Sequence, residues 1–211
     1  MSSYADHSPH DRDNEANSTA RSDAVAAAVI AALPDMSELT VLDYGCGAKG
    51  SVGLRLADRV HQVVLADADP EAVSAVEVVA KGRANVVVRL LDLTEDVPSD
   101  LAADVVVSTL SWHHIADLGP LLEALPSVAG GGRLFVADMD DDGGAYHADD
   151  PRFTWIHGFD RDELAGLVGE HGYADVQVAD LWRGSKWVAG QLVEMSVFCL
   201  TARIPTLEGA R

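Results

Sequence analysis

At 211 residues, with 48% hydrophobic and 23% charged positions, the chain falls in the range of a single globular domain; its longest apolar run, Ala24 to Leu33, is far short of the about 20 residues of a membrane helix. Lys plus Arg number 15 against 34 Asp plus Glu, a net charge of -19 that repels phosphate backbones and anionic lipid, so nucleic acid and membranes are disfavoured and cationic or neutral small ligands favoured. Two cysteines, Cys46 and Cys199, make no disulfide framework, and the polar N-terminus carries no apolar signal segment, which together predict a reduced, cytoplasmic protein.

Residues 1–20 are polar and without apolar period and read as a flexible tail, with a lid that orders over a ligand as the alternative. The domain is expected over 21–205. Its first helix should start at Ser22 or Asp23 and end at Leu33, before Pro34, with Val25, Val29, Ile30 and Leu33 on one face. Thr40–Tyr44 reads as a strand, followed by a glycine-rich turn and a helix around Val52–Ala57. A second strand, Gln62–Ala66, leads to a helix opened by Pro70 with Asp69 as its cap. Val86–Leu91 and Asp104–Thr109 are unbroken β-branched runs, the pattern of parallel strands buried on both faces.

A helix near Leu118–Leu125 leads through Gly130–Gly132 into the strand Arg133–Ala137. The segment Asp138–Phe159 is too long for a mere connection, and its place after the fifth strand makes it the expected roof of a substrate pocket. Asp160 and Glu163 then open a helix over 161–171, and Ala174–Val178 and Met195–Ala202 complete the strands. Strand and helix alternating in this way predict a doubly wound, Rossmann-like α/β sheet, which binds ligands beyond the C-terminal tips of its strands.

The first strand runs into Gly45-Cys46-Gly47-Ala48-Lys49-Gly50, and Asp67 follows 22 residues after Gly45. The spacing matches a dinucleotide fingerprint, so a nicotinamide oxidoreductase competes with other nucleoside-binding readings. Three features weigh against the dinucleotide. Asp43, two residues before Gly45, opposes a pyrophosphate but suits an ammonium or sulfonium; acids recur at the next strand tips, Asp67 and Asp92; and no second nucleotide-binding half follows. Lys49 is read as a solvated lysine, with reach to a carboxylate as the alternative.

Val41-Leu42-Asp43-Tyr44-Gly45-Cys46-Gly47, Asp67-Ala68-Asp69-Pro70-Glu71, Asp92-Leu93, the segment Ala103–Met139, and His157-Gly158-Phe159-Asp160-Arg161-Asp162-Glu163-Leu164 with His171-Gly172-Tyr173 resemble the class I S-adenosylmethionine-dependent methyltransferases, in particular those acting on small molecules. The resemblance covers roughly residues 22–204. It implies a seven-stranded, mostly parallel sheet with Met195–Ala202 inserted antiparallel, and S-adenosylmethionine as cofactor. It further implies that Asp43 meets the methionyl ammonium directly or through water, that Gly45 and Gly47 meet the cofactor by backbone, that Asp67 with Ala68 holds the ribose, and that Asp92 with Leu93 holds adenine. Ser108, at the end of the fourth strand, is placed with the cofactor as well. Where the family usually has G-x-G-x-G, this chain has one residue more. Either Gly50 takes the third glycine's place through a longer turn, or the methionine end is held differently.

Methyl transfer is an in-line displacement that needs alignment and, for many acceptors, a base. Histidine titrates near neutrality, which makes His114, in Ser111-Trp112-His113-His114, the first candidate general base, followed by His157 and Tyr146; His113 is less favoured. The acids Asp138, Asp140, Asp141 and Asp142 with His147 and His157 suggest a divalent-cation site, but in so acidic a chain they read as a solvated run, and no metal is expected. Trp155, Trp182 and Trp187 are candidates for an aromatic wall, for core or for an interface. The sequence thus predicts transfer to an O, N or S atom of a small molecule by a monomer or homodimer, with a cofactor-binding but non-methylating homologue and the oxidoreductase as alternatives.

Overall fold

Alternating burial along the strands explains how the fold is layered. The computed structural model describes residues 8–149 and 156–207. Its seven strands are β1 (Thr40–Tyr44), β2 (Gln62–Asp67), β3 (Val86–Leu90), β4 (Val105–Thr109), β5 (Arg133–Met139), β6 (Ala174–Val188) and β7 (Gln191–Arg203). They form one sheet in the order β3-β2-β1-β4-β5-β7-β6, parallel except for β7, which runs antiparallel to both β5 and β6. The expected Rossmann-like sheet with an inserted antiparallel strand is therefore present.

On β1, Leu42 and Tyr44 pack into one core with α4 (Gly119–Ala129) and α5 (Arg161–Glu170). Val41 packs into the opposite core with α1 (Pro9–Ala32) and α2 (Ser51–Leu56), to which Val76 of α3 (Pro70–Ala80) also belongs. Successive side chains on a strand face opposite ways, so Asp43 falls on the α2 side and Asp138 of β5 on the α4 side. The backbone register (Tyr44 beside Ala66, Asp67 beside Leu90) aligns the tips of β1, β2 and β3, which is what gathers the loops that follow them.

Two expectations need correcting. The helix does not start at Ser22 or Asp23: it starts at Pro9, so most of the expected tail over 1–20 is helical, and residues 1–7 lie outside the described part. Ser8 caps it, accepting from the Asp11 N–H while Asp11 accepts in return, with Pro9 in the first turn. Its polar first half lacks an apolar period because it binds by polar contacts. Asn14 donates to the Trp187 carbonyl and accepts from its N–H (3.0 and 2.7 Å), and His10 stacks on the Trp187 ring at 3.9 Å.

Strand β6 also runs ten residues past the expected Val178. It joins β7 through Ala189-Gly190, both at positive φ (48° and 79°), the two-residue turn whose twist suits a hairpin. Among the described residues no helix is long and apolar enough to cross a membrane.

Candidate active site

The glycine loop folds back on the tip of β2. The N–H groups of Gly45 and Cys46 both donate to the Ala66 carbonyl (2.8 and 3.0 Å), and that of Gly47 donates to Asp67 Oδ2 (2.7 Å). Three loop amides are therefore satisfied within the protein and do not converge on a phosphate. Gly45 sits at φ +73°, and a Cβ there would collide with the Ser111 side chain, so the loop approaches the β4 tip as only glycine allows. The residue after that tip strand, Leu110, is itself at φ 50°, a strained conformation for a branched side chain at a functional turn.

Between these loops lies a cleft of about 890 Å³. Of the residues predicted for the cofactor, Gly45, Gly47, Asp67, Ala68 and Asp92 line it, and His114 lines it from the β4 side. Sequence reasoning missed Tyr44, Glu71, Thr94, Leu110, Ser111 and Ile115, which stand beside them. Their common signal is position: each lies within a few residues of a strand tip already singled out. Among the described residues the wall carries the carboxylates of Asp67, Asp69, Glu71 and Asp92 and no lysine or arginine. Asp67 is held by the Gly47 and Asp69 N–H groups, and Asp92 Oδ1 accepts from both the N–H and the hydroxyl of Thr94 (2.9 and 2.6 Å). Both are turn-formers as well as wall residues.

Asp43, Gly50, Leu93 and Ser108 do not line the cleft. Asp43 is buried beneath α2, where it accepts from the Gly53 N–H at 2.7 Å. Burial, reinforced by the charge of Asp67 and opposed by the Gly53 hydrogen bond, raises its pKa from the usual carboxylate range to about 7. Gly50, left-handed at φ 53°, caps α2 and turns inward against Leu65 and Val76. Leu93 is core, its N–H donating to the Tyr44 hydroxyl. Ser108 is buried and donates to the Tyr44 carbonyl, with Ser111 Oγ 2.5 Å away. Burial also pushes the Cys46 thiol upward, with Asp43 and Asp67 adding to the effect, so it is no ready nucleophile.

Nor do the remaining candidates reach the wall. Tyr146 lies under Lys186, whose Nζ is 4.0 Å from the ring centroid and donates to the Tyr146 carbonyl. His157 packs beside Gly144, and among the described residues none of the 138–159 segment lines the cleft, so the expected roof is not seen there. Trp182 and Trp187 face α1 rather than the cleft, and Trp155 lies outside the described residues. Lys49 does reach a carboxylate, pairing with Glu15 of α1 at 3.2 Å on the exposed surface.

The β4 side holds an arrangement of another kind. Trp112–His114 form a 3-10 turn, and a second such turn, Ala145–His147, brings His147 alongside. One ring nitrogen from each of His113, His114 and His147 lies within 4.8 Å of the others. Asp138, fully buried, accepts from His113 Nδ1 at 2.6 Å and from the Trp112 and Met139 N–H groups. Burial together with the neighbouring His113 and His114 lowers the His147 pKa to about 4.

Comparison with known proteins agrees with this architecture. Residues 12–178 match the family model described as a methyltransferase domain. The chain is 32% identical over 139 residues to a ribosomal protein L11 methyltransferase of Pectobacterium carotovorum, a match covering 64% of this chain and 46% of that protein. It thus spans about half the length of the curated relatives it matches. In fold it is similar to the magnesium protoporphyrin IX methyltransferase of Synechocystis solved with bound S-adenosylmethionine (TM-score 0.63, 16% identity, 95% of this chain and 86% of that one). It is also similar to the N-methyltransferase NodS of Bradyrhizobium japonicum (TM-score 0.65, 15% identity, 92% and 99%). With a family model matched over most of its length and a sheet order and acid-tipped strands that agree with it, the chain belongs to the methyltransferase-domain family of the class I superfamily, whose cofactor is S-adenosylmethionine.

Proposed function

We propose that the chain transfers a methyl group from S-adenosylmethionine to an O, N or S atom of a small molecule at the His114 end of the cleft, in the cytoplasm. The observation that carries this reading is the charge of the wall: four carboxylates, no lysine or arginine among the described residues, and glycine-loop amides already used inside the protein. Such a surface disfavours the pyrophosphate of a dinucleotide and favours a ligand bearing a sulfonium and an ammonium. When bound, S-adenosylmethionine supplies an electrophilic methyl group.

In this reading Asp67 accepts from the ribose hydroxyls with lone pairs that the Gly47 and Asp69 amides leave, and Asp92 with Thr94 stands at adenine. Asp43 acts from below, holding α2 through the Gly53 N–H rather than touching the ligand. His114, exposed on the cleft wall, takes the acceptor's proton. The free thiols of Cys46 and Cys199 suit a reducing compartment.

Titration calorimetry with S-adenosylhomocysteine and with reduced nicotinamide dinucleotide tests the cofactor. Binding of the first and not the second is expected, and the reverse overturns the reading. A screen for S-adenosylhomocysteine release across hydroxyl, amine and thiol acceptors tests the reaction. Ribosomal protein L11 belongs in that screen, because the curated relatives are named for it. Turnover on L11 alone would replace the small-molecule acceptor, and tight cofactor binding without turnover on any acceptor would favour the non-methylating homologue.

A further inference from the structure

We propose that His113, His114 and His147 bind a divalent transition-metal ion of the zinc class at the acceptor end of the cleft, leaving a coordination position turned toward the cleft.

The three imidazoles come from two turns separated by more than thirty residues, which the strands β4 and β5 bring to one place. Two nitrogens bound to one ion at about 2.0–2.1 Å stand roughly 3.3 Å apart in a tetrahedron. Nitrogens already within 4.8 Å of each other need only side-chain rotation to close on it. The set contains no thiolate and no carboxylate ligand, and imidazole suits zinc, copper, iron and nickel rather than magnesium or calcium. Three protein ligands with a fourth position open is the arrangement of catalytic rather than structural zinc. His114 supplies that opening, since it belongs both to the imidazole group and to the cleft wall.

Asp138 completes the pattern. By accepting from His113 Nδ1 it leaves Nε2 as the nitrogen for the ion and fixes the ring's orientation, and its own position is fixed by two backbone N–H groups. The neighbouring acidic run is a poorer site, because its carboxylates are engaged. Asp140 is gripped by Arg161 through both oxygens (2.6 and 2.8 Å), Asp141 accepts from the Gly143 N–H, and Asp142 accepts from the Gly144 and Tyr146 N–H groups. Ring packing links all three imidazoles, with centroids 4.3, 5.2 and 5.6 Å apart, but it does not account for the buried carboxylate held against the first.

The inference rests on the proposed function only for what the open position does. There, the ion would hold an oxygen, nitrogen or sulfur of the acceptor and lower its pKa, and His114 would serve as ligand instead of base.

The test uses the whole chain, stripped with a chelator and dialysed, then titrated with Zn²⁺ by calorimetry and with Co²⁺ by visible absorption, which reports coordination geometry. One ion per chain is expected, with a low-symmetry Co²⁺ spectrum. His147→Ala should weaken Zn²⁺ binding at least tenfold, and Asp138→Asn by roughly 10–100-fold, the usual cost of losing such a supporting carboxylate. Absence of stoichiometric Zn²⁺ binding, or unchanged affinity in both His147→Ala and His114→Gln, overturns the proposal, the second result placing the ion on other groups. Should His147→Ala fail to melt cooperatively, His114→Gln, at an exposed position, carries the test. S-adenosylhomocysteine affinity measured on the same samples reports separately on the cofactor reading.

Discussion

Along the β2–β3 side of the cleft, the carboxylates of Asp67 and Asp92 stand half-exposed at neighbouring strand tips, each shared between the protein's own backbone N–H groups and the open space. On the β4–β5 side His114 faces the cleft, and beside it the buried His113 is held from behind by Asp138, a carboxylate withdrawn completely from solvent. The first side is an electrostatic surface, tolerant in geometry and fitted to a cation. The second is a positioned group, whose value depends on orientation. A reaction that must hold a sulfonium and aim an acceptor at it needs both, and the physical demands differ: charge survives small shifts, while alignment does not.

If that contrast is right, removing a carboxylate should damage the two sides differently. Asp138→Ala should have the largest effect on stability. It strips a partner from the Trp112 N–H, the Met139 N–H and His113 in a fully buried place. At about 1 kcal/mol or more for each, the loss is about 3 kcal/mol, or roughly 6–12 °C in Tm by thermal melting. Asp67→Ala should instead act on binding, weakening S-adenosylhomocysteine by roughly 1.5–3 kcal/mol in calorimetry, the scale of hydrogen bonds to a charged group. Unchanged affinity would remove Asp67 from the ribose role.

Asp43→Asn sharpens the comparison through pH. Because the folded pKa of Asp43, about 7, lies above its ordinary 3.8, the native state holds a proton that the unfolded state has lost between those values. Its contribution to stability therefore falls as pH rises through that window, by at most about 1.4 kcal/mol per pH unit, and stays low above it. Asparagine keeps an acceptor for the Gly53 N–H and cannot ionise, so denaturation midpoints followed from pH 4 to 8 should lose this descent. An identical profile in both proteins would show that Asp43 is not a buried acid of raised pKa.

The cofactor side was readable because it is local. A strand, a glycine turn and a helix cap are contiguous, so Gly45, Gly47 and Asp67 could be found by spacing, and Asp69 before Pro70 announced its helix. Reading went wrong where a residue's face decided its role. Asp43 has the right spacing, yet the strand's two-residue period turns it beneath α2, and the same period buries Ser108 away from the cleft, while Leu93, in the turn after β3, goes into the core. The helix start carried by Ser8-Pro9-His10-Asp11 escapes a reading for apolar stripes, because the first half of α1 is fastened by Asn14 and His10 to a hairpin over 170 residues away.

By itself, then, the sequence determined the α/β alternation and the acid-tipped strands that suit a cation, since each follows from local propensity, capping and patterning, while the inserted antiparallel strand was implied by the family resemblance of its motifs. Only the tertiary structure decided that His147 joins His113 and His114, that Asp138 stands behind them, and that Tyr146 and His157 do not reach the cleft wall. Those outcomes depend on which strand tips the sheet order places side by side, and no spacing along the chain encodes a distance between segments that meet only after the sheet has formed.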